Sequence, residues 1–190
     1  MFRVDCLRSI YSELEECLVV TIMGAVATEL QSLGHRSNFF YLQHAMGLAS
    51  STGLGLALCL PDQKVIVFDG DGSLLMNLGS LTTVARYRPS NLIHVVFDNE
   101  SLLSVGGFPT ATNTGTDLEG IAAAAGVPNV TTVRTVESFK AAVIGARDGN
   151  ELTTIIAKVE ATGPGAYVTG LSLIENGFQF SRHIQSLKQR

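Results

Sequence analysis

The residues with the clearest chemistry are Asp71, set between Gly70 and Gly72, and Asn99, twenty-eight positions later in Asp98-Asn99-Glu100-Ser101. A carboxylate and an amide oxygen are hard donors. Magnesium takes about six such oxygens, draws one or two carboxylates from the protein and shares the remaining positions with phosphates. Asp71, the Asn99 amide oxygen, a backbone carbonyl near Ser101 and two diphosphate oxygens nearly complete that shell. Gly70 and Gly72 allow a tight turn and close approach of a ligand to the backbone, and the helix expected from Ser73 turns its free N–H groups toward an anion. These residues point to binding of a magnesium diphosphate.

The elements around them must bring the two donors together. Residues 64–69 are a short, apolar, β-branched run that reads as a buried parallel strand, and residues 73–87 read as the helix that follows. A second apolar run at 91–97 ends just before Asp98. In a parallel sheet the carboxyl ends of adjacent strands lie side by side, so Asp71 and Asn99 face one crevice although a helix separates them in sequence. The plainer alternative is an aspartate-ended strand in an ordinary α/β domain. A three-residue glycine-aspartate-glycine is common by chance, and it is the strand–helix–strand context with the Asn that favours a site.

The rest of the chain continues the alternation. Helical spacing of Phe2, Leu7, Ile10, Tyr11 and Leu14 predicts an amphipathic helix over 3–17. Strands are expected at 18–23, 38–42, 130–133 and 152–159, and helices at 24–33, through the small residues Ser50, Ser51, Gly53 and Gly55, at 117–125, 136–147 and 171–188. Residues 162–166 form a turn, and Lys188 and Arg190 belong to a solvated tail. Residues 99–117 are too polar and glycine-rich for a regular element, and a loop of this length leaving a candidate ligand is read as an active-site lid. Thr110, Thr112 and Thr114 are either hydroxyls offered to a substrate or solvated loop hydroxyls. The fold expected is a doubly wound α/β domain over 1–190, with a mainly parallel sheet and helices on both faces.

Composition supports this and excludes other classes. The 190 residues include 46% hydrophobic and 16% charged side chains and 19 glycines, as suits one dense domain rather than a disordered chain. The net charge of −4, without a basic stripe interleaved with aromatics, argues against a nucleic-acid surface. Cys6, Cys17 and Cys59 lack paired metal spacing and read as reduced, buried thiols. No apolar stretch approaches the roughly 20 residues of a membrane span, and the first residues lack a secretory pattern, so a cytoplasmic location is expected. His44 stands beside the expected cleft, where it acts as an acid or base, orients its neighbours or sits satisfied in the cleft wall. Met46 is either core filler or part of the cleft wall.

Together the motifs resemble the thiamine-diphosphate-binding family. Gly70-Asp71-Gly72, a helix and Asp98-Asn99 are similar to its metal-binding motif. Ala45-Met46-Gly47-Leu48-Ala49-Ser50, Gly53-Leu54-Gly55-Leu56-Ala57-Leu58 and Gly70-Asp71-Gly72-Ser73-Leu74-Leu75-Met76-Asn77 resemble the group of sulfopyruvate decarboxylase β subunits and phosphonopyruvate decarboxylases. The resemblance runs from Val19 to about Glu160. It implies thiamine diphosphate and Mg2+ as cofactors, with Asp71, Asn99 and the Ser101 carbonyl as metal ligands. Gly70, Gly72 and Ser73 would line the diphosphate, and Met46-Gly47 would lie where an apolar side chain bends the cofactor into a V. Asp98 replaces the more usual first Asn, a change expected to matter little. Leu102-Leu103 and Phe108-Pro109-Thr110 depart from the group's lid, and Phe108 in place of an amide leaves a different 2-oxo acid open.

The resemblance also implies a partner. The family activates the cofactor with a glutamate from a pyrimidine-binding domain, for which this chain has no room. The reading is therefore the diphosphate-binding subunit of a two-chain thiamine-dependent decarboxylase of a small 2-oxo acid, with a pyrimidine-binding α subunit supplying the glutamate. The assembly would be a hetero-oligomer, or a homodimer core, that sandwiches the cofactor. Two alternatives stand beside it: a carboligating, acetolactate-synthase-like subunit and a non-catalytic cofactor-binding regulatory subunit.

Overall fold

The computed structural model describes residues 1–167 and 170–188. Arg190, read as part of a solvated tail, lies outside the described residues. In chain order the helices are α1 Arg3–Ile10, α2 Ala25–Ser32, α3 Ala49–Cys59, α4 Asp71–Leu75, α5 Gly79–Tyr87, α6 Leu118–Ala124, α7 Val136–Asp148 and α8 Leu173–Leu187. The strands are β1 Leu18–Thr21, β2 Phe39–Tyr41, β3 Val65–Gly70, β4 Leu92–Asp98, β5 Ser101–Leu102, β6 Phe108–Pro109, β7 Asn129–Val133 and β8 Thr153–Lys158.

Six strands form one sheet in the order β2-β1-β3-β4-β8-β7, and every pairing in it is parallel. The central β4 is buried along its whole length, as a strand covered on both faces must be. The chain steps from β1 to β2 in one direction and returns to β3 in the other. Right-handed crossovers then place α2 and α3 on opposite faces. Accordingly α1 packs on α2 and α7, while α3 packs on α5. The reversal between β1 and β3 opens a crevice at the carboxyl ends of the strands, where ligands of such sheets bind.

Side-chain amides finish the edges. Asn176 of α8 donates to the Phe39 carbonyl at 2.7 Å and accepts from the Tyr41 amide at 3.0 Å, closing the open edge of β2. Asn91 Nδ2 shares its two protons among three carbonyls at the end of α3 and just beyond it, those of Ala57, Leu60 and Gln63.

Four expectations need correction. The opening helix stops at Ile10 and gives way to a 3-10 turn over Tyr11–Leu14. The exposed carbonyls there are taken by side chains instead, with Arg36 bonding Tyr11 and Asn38 bonding Leu14 and Cys17. The helix expected over 73–87 is two helices, because Met76 and Asn77 make tight i,i+3 bonds and the Asn77 amide turns away to the Gly47 carbonyl at 2.9 Å. The loop after β4 contains an antiparallel ladder pairing Ser101 with Pro109 and Leu102 with Phe108. Gly106 and Gly107, with φ of 108° and 76°, provide its turn. Cys59 is exposed, whereas Cys6 and Cys17 are buried in the core.

Candidate functional site

A cleft of about 510 Å³, partly open to solvent, lies at the switch between β1 and β3. Its walls come from the ends of three neighbouring strands. Ile22 to Val26 follow β1, Gly70 ends β3 and Asp71 to Ser73 follow it, and Asn99 and Ser101 to Ser104 follow β4. Met46 reaches it from the segment before α3, and Arg3 from α1. The cleft therefore gathers Met46, Gly70, Asp71, Gly72, Ser73, Asn99 and Ser101. Gly47 stands behind it, its amide donating to Ser73 Oγ at 3.0 Å. His44 is exposed, has a left-handed backbone with φ 51° and is not part of the wall.

Asp71 is only 2% exposed. Thr110 Oγ1 donates to its Oδ2 at 2.6 Å, and Thr112 Oγ1 lies 3.2 Å from the same oxygen. Thr112 Oγ1 is also 2.8 Å from Asp98 Oδ1 and 2.8 Å from Thr110 Oγ1. Two hydroxyls have two protons, so the shortest carboxylate contacts take them: Thr110 on Asp71 and Thr112 on Asp98. None of these side-chain bonds reaches Asp71 Oδ1. Burial raises the Asp71 pKa above its ordinary value, and the neighbouring Asp98 carboxylate adds to the rise against the opposing Thr110 bond. A bound cation relieves such a buried charge.

Asn99 makes an Asx turn, its Oδ1 accepting from the Ser101 amide at 3.1 Å. Glu100 beside it adopts a left-handed backbone with φ 59°. Ser101 faces Pro109 across the small ladder, and proline has no N–H to give to the Ser101 carbonyl. Among the described residues no cluster of three or more His, Cys, Asp or Glu side chains is suited to a metal. What the cleft lining offers is one carboxylate, one amide oxygen and backbone carbonyls. That donor set suits a hard cation sharing its shell with phosphate oxygens.

The two glycines flanking Asp71 differ in role. A Cβ on Gly70 would meet nothing nearer than the Phe97 carbonyl at 4.0 Å and would project into the cleft. A Cβ on Gly72 would lie 2.2 Å from Leu102 Cδ2 and 3.3 Å from Thr110 Cγ2. Gly70 keeps space for a ligand, while Gly72 lets the loop after β4 close on α4. Gly24, with φ 81°, turns the chain after β1 within the same wall. With α4 reduced to five residues, the bare backbone at Gly70 matters more to an anion here than a long helix dipole does.

Sequence reasoning did not single out Arg3, Lys158 or His94. Arg3 and Glu29 form a buried two-bond ion pair, 2.9 Å at each contact. Lys158 Nζ lies 2.6 Å from Asp98 Oδ2 and 3.0 Å from Glu100 Oε1. Burial works to lower the Lys158 pKa, yet its bonds to Asp98 and Glu100 raise it, so the ammonium is retained. His94 is fully buried and meets Asp69 at 3.4 Å, one strand residue before Gly70. Alternation along β3 and β4 puts both on the same sheet face. Asp98 is thus more than a silent replacement for Asn, because it has acquired a lysine partner. Thr110 and Thr112 are buried and engaged, whereas Thr114 is exposed. Phe108 is 65% exposed and stands outside the cleft wall.

Residues 23–162 match the family described as thiamine pyrophosphate enzyme, C-terminal TPP binding domain. The chain belongs to this family. As a thiamine pyrophosphate enzyme domain it is 42% identical over 157 residues to sulfopyruvate decarboxylase subunit beta of Methanocaldococcus jannaschii, covering 82% of each chain. It is 41% identical to phosphonopyruvate decarboxylase of Streptomyces hygroscopicus over 76% of its own length but only 36% of that protein. Among solved structures, benzoylformate decarboxylase from Polynucleobacter necessarius superposes with a TM-score of 0.72 at 18% identity, over 87% of this chain and 34% of that one. At that identity the likeness concerns the fold. The chain thus spans about a third of the longer proteins that it matches and most of the sulfopyruvate decarboxylase subunit.

Proposed function

We propose that the chain is the diphosphate-binding subunit of a thiamine-diphosphate-dependent decarboxylase of a small 2-oxo acid, sulfopyruvate or a close relative. The observation that carries this reading is the extent of the match: 82% of the M. jannaschii β subunit is covered at 42% identity. Asp71, the Asn99 amide oxygen and the Ser101 carbonyl would hold Mg2+, and Gly70, Gly72 and Ser73 would line the diphosphate. When bound, thiamine diphosphate supplies the ring that takes up the electron pair released as CO2 leaves.

The chain's own part is binding and shape. Ile22, Met46, Leu102 and Leu103 give the cleft apolar walls that exclude water, and Gly70 leaves room at the strand end. Met46, in the cleft wall, would be the apolar side chain that supports the cofactor rings. For His44, exposed and outside the wall of the single chain, the proposed part is that of an acid or base or of an orienting residue. A glutamate of a pyrimidine-binding α subunit would supply the proton-transfer group, and the cofactor would be held between the two chains. Alone the chain should have little or no activity.

Titration calorimetry tests this. Thiamine diphosphate with Mg2+ is added to the wild-type chain and to Asp71→Ala, with and without a pyrimidine-binding partner chain, and CO2 release from sulfopyruvate and pyruvate is followed in parallel. Binding that needs Mg2+ and Asp71, with CO2 release only when both chains are present, is expected. Ordinary decarboxylation by the single chain would overturn the two-chain reading, and acetolactate from pyruvate would favour carboligation.

A further inference from the structure

Lys158 is the last residue of β8, and in the β4–β8 register its Cα partner is Asp98, the last residue of β4. A lysine at the end of a strand ordinarily extends into water. This one does not. Its ammonium lies 2.6 Å from Asp98 Oδ2 and 3.0 Å from Glu100 Oε1, so it holds the residues immediately before and after Asn99.

Each of the two needs holding. The Asp98 side chain is 2% exposed, and a buried carboxylate without a partner is costly. Its other oxygen, Oδ1, accepts from Thr112 Oγ1 at 2.8 Å and from the Glu100 amide at 3.2 Å. Glu100 occupies the left-handed backbone region at φ 59°, which glycine and asparagine enter readily and glutamate does not. The strained residue is therefore stapled through its side chain to Lys158 and through its amide to Asp98. Between them Asn99 is fixed in the Asx turn that directs its amide.

We propose that Lys158 is a positioning residue for the Asn99 ligand turn, a role that rests on the Asp71–Asn99 site proposed above. It is not among the residues that line the cleft. Its effect passes through Asp98 and Glu100, and it is present in the chain without any ligand.

Amide hydrogen exchange of the full chain, without ligand, reads the turn directly. Lys158→Met should speed exchange at Glu100 and Ser101 at least about tenfold and leave Val67 and Ile156 within about twofold. Lys158→Arg should recover most of the protection. By calorimetry with saturating Mg2+, Lys158→Met should weaken thiamine diphosphate binding about tenfold. In an Asp98→Asn/Glu100→Gly background the ammonium has no carboxylate left to hold, and the same substitution should change affinity less than about twofold.

Unchanged exchange in Lys158→Met removes the proposal. Faster exchange with unaltered affinity leaves Lys158 a scaffold residue and the Asp71 reading intact. A tenfold loss that persists in the double background likewise overturns positioning through the two carboxylates. No binding by wild type either alone or with a pyrimidine-binding partner chain, or binding indifferent to Asp71→Ala, ends the site reading itself.

Discussion

Thr110 Oγ1 donates to Asp71 Oδ2 at 2.6 Å, so the loop after β4 is fastened to the first residue of α4. Both groups are buried, and the bond has a charged acceptor. Hydrogen bonds of that kind contribute about 1.5–3 kcal/mol. Thr110→Val keeps the shape and removes the donor, and it should lower stability in urea by about 1–2 kcal/mol without ligand. Thr112→Val should do likewise through Asp98. Because the two hydroxyls touch, the double variant should lose less than the sum. Single losses under about 0.5 kcal/mol, the range of ordinary surface substitutions, would show that the threonines do not fasten the loop.

The cysteines give a pH-dependent test of the core. Burial pushes the Cys6 and Cys17 thiols up to about 11, while Cys59 is exposed. Thiolate is the reactive form. At pH 8 a disulfide reagent should therefore modify one thiol quickly in the native chain and all three after unfolding. The folded state holds these two protons more tightly than the unfolded chain. Their contribution to stability is thus complete below the ordinary thiol value of 9.0 and declines as pH rises toward 11. Fast modification of two or three thiols in the native chain at pH 8 would contradict the burial of Cys6 and Cys17.

Arg3 and Glu29 tie α1 to α2 next to the cleft, with side chains only 4% and 10% exposed. The same guanidinium donates to the Thr162 carbonyl at 3.1 Å. Removing one member of a buried pair leaves an uncompensated charge, at a cost of about 3–5 kcal/mol. Arg3→Met should show this in urea, and Arg3→Met/Glu29→Leu should recover much of the loss. If the double variant is as unstable as the single, the charge is not the cause, and the lost contact with Thr162 becomes the explanation.

How far the sequence discloses the fold and site depends on the range of the interaction. β3 and β4 are legible because their burial on both faces demands continuous apolar runs, and Asp71 and Asn99 converge because adjacent parallel strands end together. Relations across the sheet are another matter. Asp98 and Lys158 meet because β8 inserts between β4 and β7 and ends in register with β4, and nothing local to either residue signals that order. Helix ends depart from the apolar periodicity where side chains take over carbonyls, as Asn38 and Asn77 do. The sequence leaves Thr110 and Thr112 between substrate hydroxyls and solvated loop hydroxyls because their partners, the Asp71 and Asp98 carboxylates, lie 39 and 14 positions away.

The two glycines beside Asp71 should separate ligand space from packing. At Gly70 the backbone is extended, with φ −123°, and an added methyl enters the cleft without a protein neighbour nearer than 4.0 Å. Gly70→Ala should therefore fold with stability within about 0.5 kcal/mol of wild type. Its affinity for Mg2+ and thiamine diphosphate should nevertheless fall sharply, because the methyl occupies ligand space. At Gly72 the methyl would collide with Leu102 Cδ2 at 2.2 Å, and the leucine or the ladder must shift. Overpacking of this kind costs about 1–3 kcal/mol, so Gly72→Ala should be visibly less stable even without ligand. Urea unfolding and calorimetry on both variants decide the matter. Equal losses of stability would mean that the strand end is closed packing, and unchanged binding by Gly70→Ala would place the diphosphate elsewhere.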